Sequence, residues 1–349
     1  MTPRRSLVTG GFGFIGGHLV ERLLRRGDDV VVVDPAPAPP DLRDDRAAVR
    51  HVPCDVRDAE ALRLVDVTGV DEVYHLSSLV GVDRYLSDPL DVVDTSVLGT
   101  RNVLDLARRA RAKLVLASTS EVYGKNPVAP WAEDADRVLG STAADRWSYS
   151  SSKAVAEHLA LAYAHRFGLR LSIVRYFNVY GPRQRPAYVI SRTLHRLLRG
   201  ERPLLYDGGE QTRCFTYVDD AVEATLLTGG SGAADGEVLN IGSDQEWTMA
   251  EAVDLVRSAV GSDAEPVVLR TRSAFGEAYE DIPRRVPDVS KARRILGWRW
   301  GVPLGAGVAR TVAWAHRSPW WAAAEPPGGC PGGNAETNRA TGRTDGHVR

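Results

Sequence analysis

The sequence predicts an α/β protein: a doubly wound parallel sheet with helices on both faces, followed by a smaller C-terminal α/β unit. Three observations carry this. Short apolar runs alternate with helix-length amphipathic stretches through the first half of the chain. The first of those runs passes straight into a glycine-rich turn, Gly10-Gly11-Phe12-Gly13-Phe14-Ile15-Gly16. After Arg175 the alternation gives way to shorter elements rich in Gly and Arg.

The composition suits such a fold. The 349 residues are 43% apolar and 26% charged, with a formal net charge of -1, so neither a nucleic-acid footprint nor a membrane-surface patch is expected. Cys54, Cys214 and Cys330 are far apart and show no metal-ligand spacing; they read as thiols of a reducing compartment. No apolar run approaches the length of a membrane span, and the N-terminus shows no signal-peptide pattern, so a cytoplasmic protein without a metal is expected.

In chain order, residues 6–9 read as a buried strand and the next residues as a helix running to about Arg26. Glycines at 10, 13 and 16 permit a tight turn and close backbone approach to a pyrophosphate, whose charge the helix N-terminus favours. Phe14 and Ile15 open that helix. A second run, residues 30–33, ends in Asp34, at the distance where a carboxylate takes ribose hydroxyls. Since Pro35-Ala36-Pro37 supplies no cation for a 2′-phosphate, NAD is expected rather than NADP. Residues 35–45 read as a surface loop. Residues 50–54 read as a third strand, with Asp55 and Val56 placed to reach an adenine, and residues 70–76 as a fourth, with Leu76 facing the cofactor. His75 at its end reads as a packed histidine. A long helix follows over residues 89–109.

The stretch from Lys113 to Lys153 carries the chemistry. A buried strand over residues 113–117 leads to Thr119, Ser120 and Glu121, and Tyr149 and Lys153 stand four residues apart at the start of a helix, on one face. An ammonium beside a phenol favours the phenolate and is expected to bring its ionisation toward neutrality. A hydroxyl of Thr119 or Ser120 would then hydrogen-bond the substrate oxygen that Tyr149 deprotonates.

These residues, with Arg175-Tyr176-Phe177-Asn178, residues 209–220 with Arg213, and Leu239-Asn240-Ile241-Gly242, resemble the extended short-chain dehydrogenase/reductase family of NAD-dependent epimerases and dehydratases that remodel nucleotide sugars. The resemblance covers roughly residues 5–315 and departs at Ser96, where the family usually has Asn. It implies a Rossmann-type NAD-binding domain over residues 1–177, a nucleotide-sugar domain over 178–318 and a homodimer built on residues 89–109 and 149–167, with Val155, Leu159, Leu161 and Tyr163 as its apolar positions. It also implies that Asn178 and Arg213 contact the diphosphate. The Pro/Gly-rich residues 325–349 read as a disordered tail.

Two features favour the UDP-glucuronate decarboxylases (UDP-xylose synthases) within the family. Glu121 is one. The other is Tyr279-Glu280-Asp281-Ile282-Pro283-Arg284-Arg285-Val286-Pro287, which by resemblance puts Tyr279 and Arg285 at the sugar, with Tyr85 contributed from residues 81–89. The alternative for Arg284 and Arg285 is a diphosphate clamp or solvated charge. UDP-glucuronate 4-epimerase and nucleotide-hexose dehydratase are the other enzymatic outcomes, and an NAD-binding regulatory protein on the same fold is the non-enzymatic one.

Overall fold

The computed structural model describes residues 4–40, 42, 49–275 and 280–325. The first half builds β1 (Arg5–Thr9), α1 (Phe14–Arg26), β2 (Asp29–Val33), β3 (Val49–Val52), α2 (Ala59–Arg63), β4 (Glu72–His75), α3 (Val82–Ser87), α4 (Pro89–Ala110), β5 (Lys113–Thr119), α5 (Ser148–Phe167) and β6 (Leu171–Tyr176). With Val238–Ile241 these strands form one seven-stranded parallel sheet in the order Val238–Ile241, β6, β5, β4, β1, β2, β3. The order reverses between β1 and β4, which opens a crevice at the C-terminal ends of those strands. This is the Rossmann-type fold that the strand–helix alternation predicts.

Strand alternation sorts the core onto both faces of the sheet. Val8, Val30, Val32, Val115 and Val174 pack on one side, and Leu7, Val31, Val33, Leu114, Leu116 and Ile173 on the other. Two strands are shorter than their apolar runs. β3 stops at Val52 because Pro53 has no N–H with which to continue the ladder. β4 begins only at Glu72, after a turn in which the Val70 amide donates to the Val67 carbonyl. β5 instead continues past Ala117 to Thr119. Ser96 lies buried on α4, and its hydroxyl has no hydrogen-bond partner among the described residues.

The second half supplies Val238–Ile241 to the large sheet and otherwise folds into small ones. Glu246–Thr248, Thr212–Cys214 and Arg284–Arg285 form a three-stranded sheet, and Leu204–Tyr206 pairs with Val267–Leu269. The helix Met249–Val260 begins with a capping box: Thr248 accepts from the Glu251 amide while the Glu251 carboxylate accepts from the Thr248 amide. Lys113, at the start of β5, is buried and donates to the Thr228 and Ser231 carbonyls at 2.7 and 2.6 Å, tying the sheet to the end of the helix Val218–Gly230. Of the expected tail, residues 326–349 lie outside the described residues, as does Tyr279.

Candidate active site

The crevice is a cleft of about 620 Å³. At one end stands the glycine turn. Gly10 has φ +69°, and a Cβ there would meet the Ser77 backbone; a Cβ on Gly16 would fall on the Gly10 carbonyl. α1 starts at Gly13 with no side-chain cap and no acidic residue in its first turn, so its first amides are left for an anion. Gly10, Gly13, Phe14, Ile15, Gly16 and Leu76 all line the cleft. Asp34, buried at the end of β2, accepts from the Phe12 amide at 3.0 Å and the Ala36 amide at 2.9 Å, which pins its carboxylate beside the turn. These residues fit a dinucleotide with its diphosphate on the turn and an adenosine ribose at Asp34.

Asp55 and Val56 are not brought to the cleft lining. Asp55 is bound by the Arg57 guanidinium at 2.8 Å, which holds its carboxyl below the usual range, and Val56 is buried against Gly99. His75 is a packed histidine: its ring bonds the Thr9 hydroxyl at 2.7 Å and the Thr100 hydroxyl at 3.1 Å, and burial, then the charge of Lys153, pushes it down to about 3.

Tyr149 and Lys153 share one face of α5 at the centre of the cleft, both buried. Their ionisation differs from the simple ion-pair expectation. Burial pushes the Tyr149 phenol up rather than toward neutrality, Tyr188 and Glu121 push it the same way, and the Ser78 and Thr119 hydroxyls oppose them. Lys153 donates from Nζ to the Ala117 carbonyl at 2.6 Å, and burial lowers it to about 8 against the pull of Glu157. A low-dielectric setting disfavours both charged forms, so the ammonium alone does not yield a phenolate here. Behind Lys153, Glu157 is itself held by Arg175 at 2.9 and 2.6 Å and by the Ser118 hydroxyl at 2.5 Å.

Thr119 ends β5 with its hydroxyl accepting from the Glu121 amide at 3.2 Å. Glu121, on the following 3-10 turn, lies between two guanidiniums: Arg285 at 2.7 Å and Arg146 at 2.7 Å. Arg285 also donates to the Ser120 hydroxyl at 3.4 Å. It reaches this place because the strand that bears it pairs with Thr212–Cys214 and the segment after Tyr123 loops outward to bind the residues that follow that strand. The Trp131 amide donates to the Val286 carbonyl at 2.9 Å, and the Asp288 amide to the Trp131 carbonyl at 2.8 Å. Arg284, the next residue back, points away and pairs with Glu246 at 2.8 Å. Tyr85, on α3, stacks on Tyr149 with ring centres 6.5 Å apart and planes at 17°.

Asn178 and Arg213 line the far end of the cleft. Asn178 has φ +38° and donates to the Cys214 carbonyl at 3.2 Å, and Arg213 is paired with Asp281 at 3.1 Å. An adjoining cavity of about 190 Å³ continues past Arg213 to Arg192 and Tyr206. Arg146, Ser78, Tyr188 and Arg185 are further lining residues that the sequence reading did not single out. For Arg146 a signal exists in its place three residues before Tyr149, about one helical turn away.

A profile of the NAD dependent epimerase/dehydratase family matches residues 6–242. The chain is 37% identical over 316 residues to a UDP-N-acetyl-alpha-D-glucosaminuronate decarboxylase of Bacillus cytotoxicus, covering 89% of this chain and 97% of that one. It is 34% identical over 311 residues to UDP-glucuronic acid decarboxylase 1 of Xenopus tropicalis, covering 88% and 71%. Among solved structures, a dTDP-glucose 4,6-dehydratase of Streptomyces venezuelae with NAD bound superposes with a TM-score of 0.82 at 32% identity, covering 91% and 98%.

Proposed function

The chain belongs to the NAD-dependent epimerase/dehydratase family, and from that footing we propose that it is an NAD-dependent decarboxylase of a nucleotide-linked uronic acid, UDP-glucuronate first, acting through a 4-keto intermediate. The observation that carries the reading is Arg285. It brings a buried cation from the second half of the chain to Glu121 and Ser120, in the cleft that Tyr149 also lines. A buried guanidinium in that place suits a carboxylate on the sugar.

NAD, when bound at the Gly10–Gly16 turn and Asp34, supplies a hydride acceptor for the sugar C4 and returns the hydride later, so the reaction is redox-neutral. The chain's own residues do the rest. Tyr149, in the phenolate fraction that grows as pH rises, takes the C4 hydroxyl proton while the Thr119 hydroxyl hydrogen-bonds the same oxygen. With C4 a ketone, the C5 carboxylate is a β-keto acid. Its C5–C6 bond breaks, the electron pair passes into a C4–C5 enolate held by Thr119 and the protonated Tyr149, and CO₂ leaves. C5 then takes up a proton to give the 4-keto-pentose, and as the hydride is returned to C4 Tyr149 gives its proton back to the C4 oxygen, leaving a nucleotide pentose. Arg285 orients the departing carboxylate, and Asn178 and Arg213 hold the diphosphate, with the adjoining cavity taking the base. UDP-N-acetylglucosaminuronate is the second substrate reading, supported by the name of the 37% identical relative.

We propose a cytoplasmic homodimer joined through α4 and α5. Leu98, Val155 and Leu161 are exposed on these helices, whereas Leu159 and Tyr163 pack toward the chain's own core. No helix among the described residues is long and apolar enough to cross a membrane.

The test is product mass. Incubation with each of the two nucleotide uronates should give a product lighter by CO₂. Arg285→Ala should slow CO₂ release by roughly 10²–10³-fold while leaving NAD binding intact. A product of unchanged mass and altered stereochemistry would make the protein an epimerase instead.

A further inference from the structure

The reaction proposed above assigns no role to Arg146, yet its guanidinium is buried in the cleft against Glu121, Tyr85 and Trp147. It sits on the 3-10 turn Asp145–Trp147, which leads directly into α5, and is 2% exposed. Its guanidinium carbon lies 5.0 Å from the centre of the Trp147 ring and 5.4 Å from that of Tyr85, the ring that stacks on Tyr149. Its Nη1 is 2.7 Å from Glu121 Oε2.

Arg285 is held more loosely. It extends from the two-residue strand Arg284–Arg285 and bonds Glu121 Oε1 at 2.7 Å, but its bond to Ser120 is long at 3.4 Å, and no described aromatic ring packs on its guanidinium as Tyr85 and Trp147 do on that of Arg146. Two guanidiniums thus face one carboxylate in a buried place. That leaves one positive charge for a second carboxylate, and the residue that can turn to it is the one with fewer ties.

We propose that Arg146 is a positioning residue that holds Glu121 ionised and in place, so that Arg285 can pass from Glu121 to the carboxylate of the ligand without Glu121 taking up a proton. This rests on the reading of the ligand as a uronate. If Arg285 were the sole partner of Glu121, a ligand carboxylate that captured it would leave Glu121 buried and uncompensated, and Glu121 would be protonated or swing away. The ionisation of Glu121 agrees: burial pushes its carboxyl up, and Arg146 and then Arg285 outweigh burial, holding it at about 2. The other titratable groups that bear on it are Tyr149 of α5 and Tyr188 of the loop facing α3.

The experiment is a ¹³C NMR titration of the full chain labelled at glutamate Cδ, with Glu121→Gln identifying the Glu121 signal. It is run with and without UDP-glucuronate in a Tyr149→Phe background that blocks turnover. Arg146→Met should move the Glu121 midpoint up by about 1 to 3 pH units, and further when UDP-glucuronate is bound. Arg146→Lys, which keeps the charge, should restore most of the difference. Arg146→Gln serves where the Met variant does not fold. A Glu121 midpoint unchanged in Arg146→Met or Arg146→Gln, or equal in Lys and Met variants, would overturn the role. In the Tyr149-containing enzyme, Arg146→Met should lower CO₂ release roughly 10–100-fold, with the acid limb of its pH profile displaced upward. If the unaltered protein releases no CO₂ from either uronate, the decarboxylase reading fails, while the titration still decides whether Arg146 holds Glu121.

Discussion

Lys153→Met should make the protein more stable at neutral pH while destroying its activity. Lys153 is 3% exposed, and burial lowers its ammonium from 10.5 to about 8. At about 1.4 kcal/mol per pH unit, keeping it charged in the fold costs about 3 kcal/mol. Below pH 8 the ammonium is present in both folded and unfolded chains, and that cost is carried in full. Between pH 8 and 10.5 the unfolded chain binds the proton and the folded one does not, so stability rises with pH until the cost is gone. The Met side chain carries no such cost but forfeits the 2.6 Å bond to the Ala117 carbonyl, about 1–2 kcal/mol. The variant should therefore be more stable by about 1–2 kcal/mol at pH 7 and less stable by a similar amount at pH 10. Differential scanning calorimetry of cofactor-free protein at the two pH values reads this as a difference in Tm that changes sign, by a few degrees in all. Other groups titrating over the same range cancel between variant and parent. A variant destabilised equally at both pH values would show that Lys153 bears no desolvation cost, and the argument would be wrong.

Tyr149→Phe should abolish turnover, by about 10³-fold or more, with the fold and NAD binding retained, because the C4 hydroxyl then has no proton acceptor; a stopped-flow trace that still shows hydride transfer to NAD would contradict the assignment. Because burial pushes the Tyr149 phenol up, the rate of that transfer should climb with pH above neutrality in the unaltered enzyme, and a flat profile would remove Tyr149 as base. Asp34→Ala combined with Pro35→Arg should shift the NAD/NADP binding ratio toward NADP by roughly 10–100-fold in titration calorimetry, since the double change removes a carboxylate and adds a cation at an exposed position. Light scattering should return a dimer for the chain and a monomer for Leu98→Arg with Val155→Glu; a monomer from the unaltered chain at micromolar concentration would refute the proposed interface.

The large sheet was legible because local chemistry and global fold agree in it. Strands β1, β2, β4 and β5 each lie on a short apolar run of their own, and the glycines of the first turn have few other uses. Tyr149 and Lys153 were equally readable, since spacing alone puts residues four apart on one helix face. Arg285 was found by resemblance and lies in the cleft, but nothing local tells it from Arg284, which faces the other way; the partner that fixes it, Trp131, is more than 150 residues earlier. Arg146 was passed over for a related reason. Residues 125–147 have no regular periodicity, and a charge there reads as solvated until the fold places Tyr85, Trp147 and Glu121 around it. The ionisation of Tyr149 was misjudged because pairwise spacing shows the neighbouring ammonium but not the burial that outweighs it. The pairing of Asp55 with Arg57, two residues on, is likewise invisible in the strand pattern.

The return of the chain to lay Val238–Ile241 against β6 has a bearing on synthesis. All six residues of β6 are buried in the finished protein, and the strand that covers its outer edge is made about 60 residues later. At roughly 5–20 residues per second, the nascent chain emerges for several seconds with a complete apolar strand edge open to whatever passes. The same arrangement means that neither half of the sequence is a finished unit when cut from the other. Expression of the first 177 residues alone should yield an aggregating fragment, and adding a covering strand in trans should bring it back into solution.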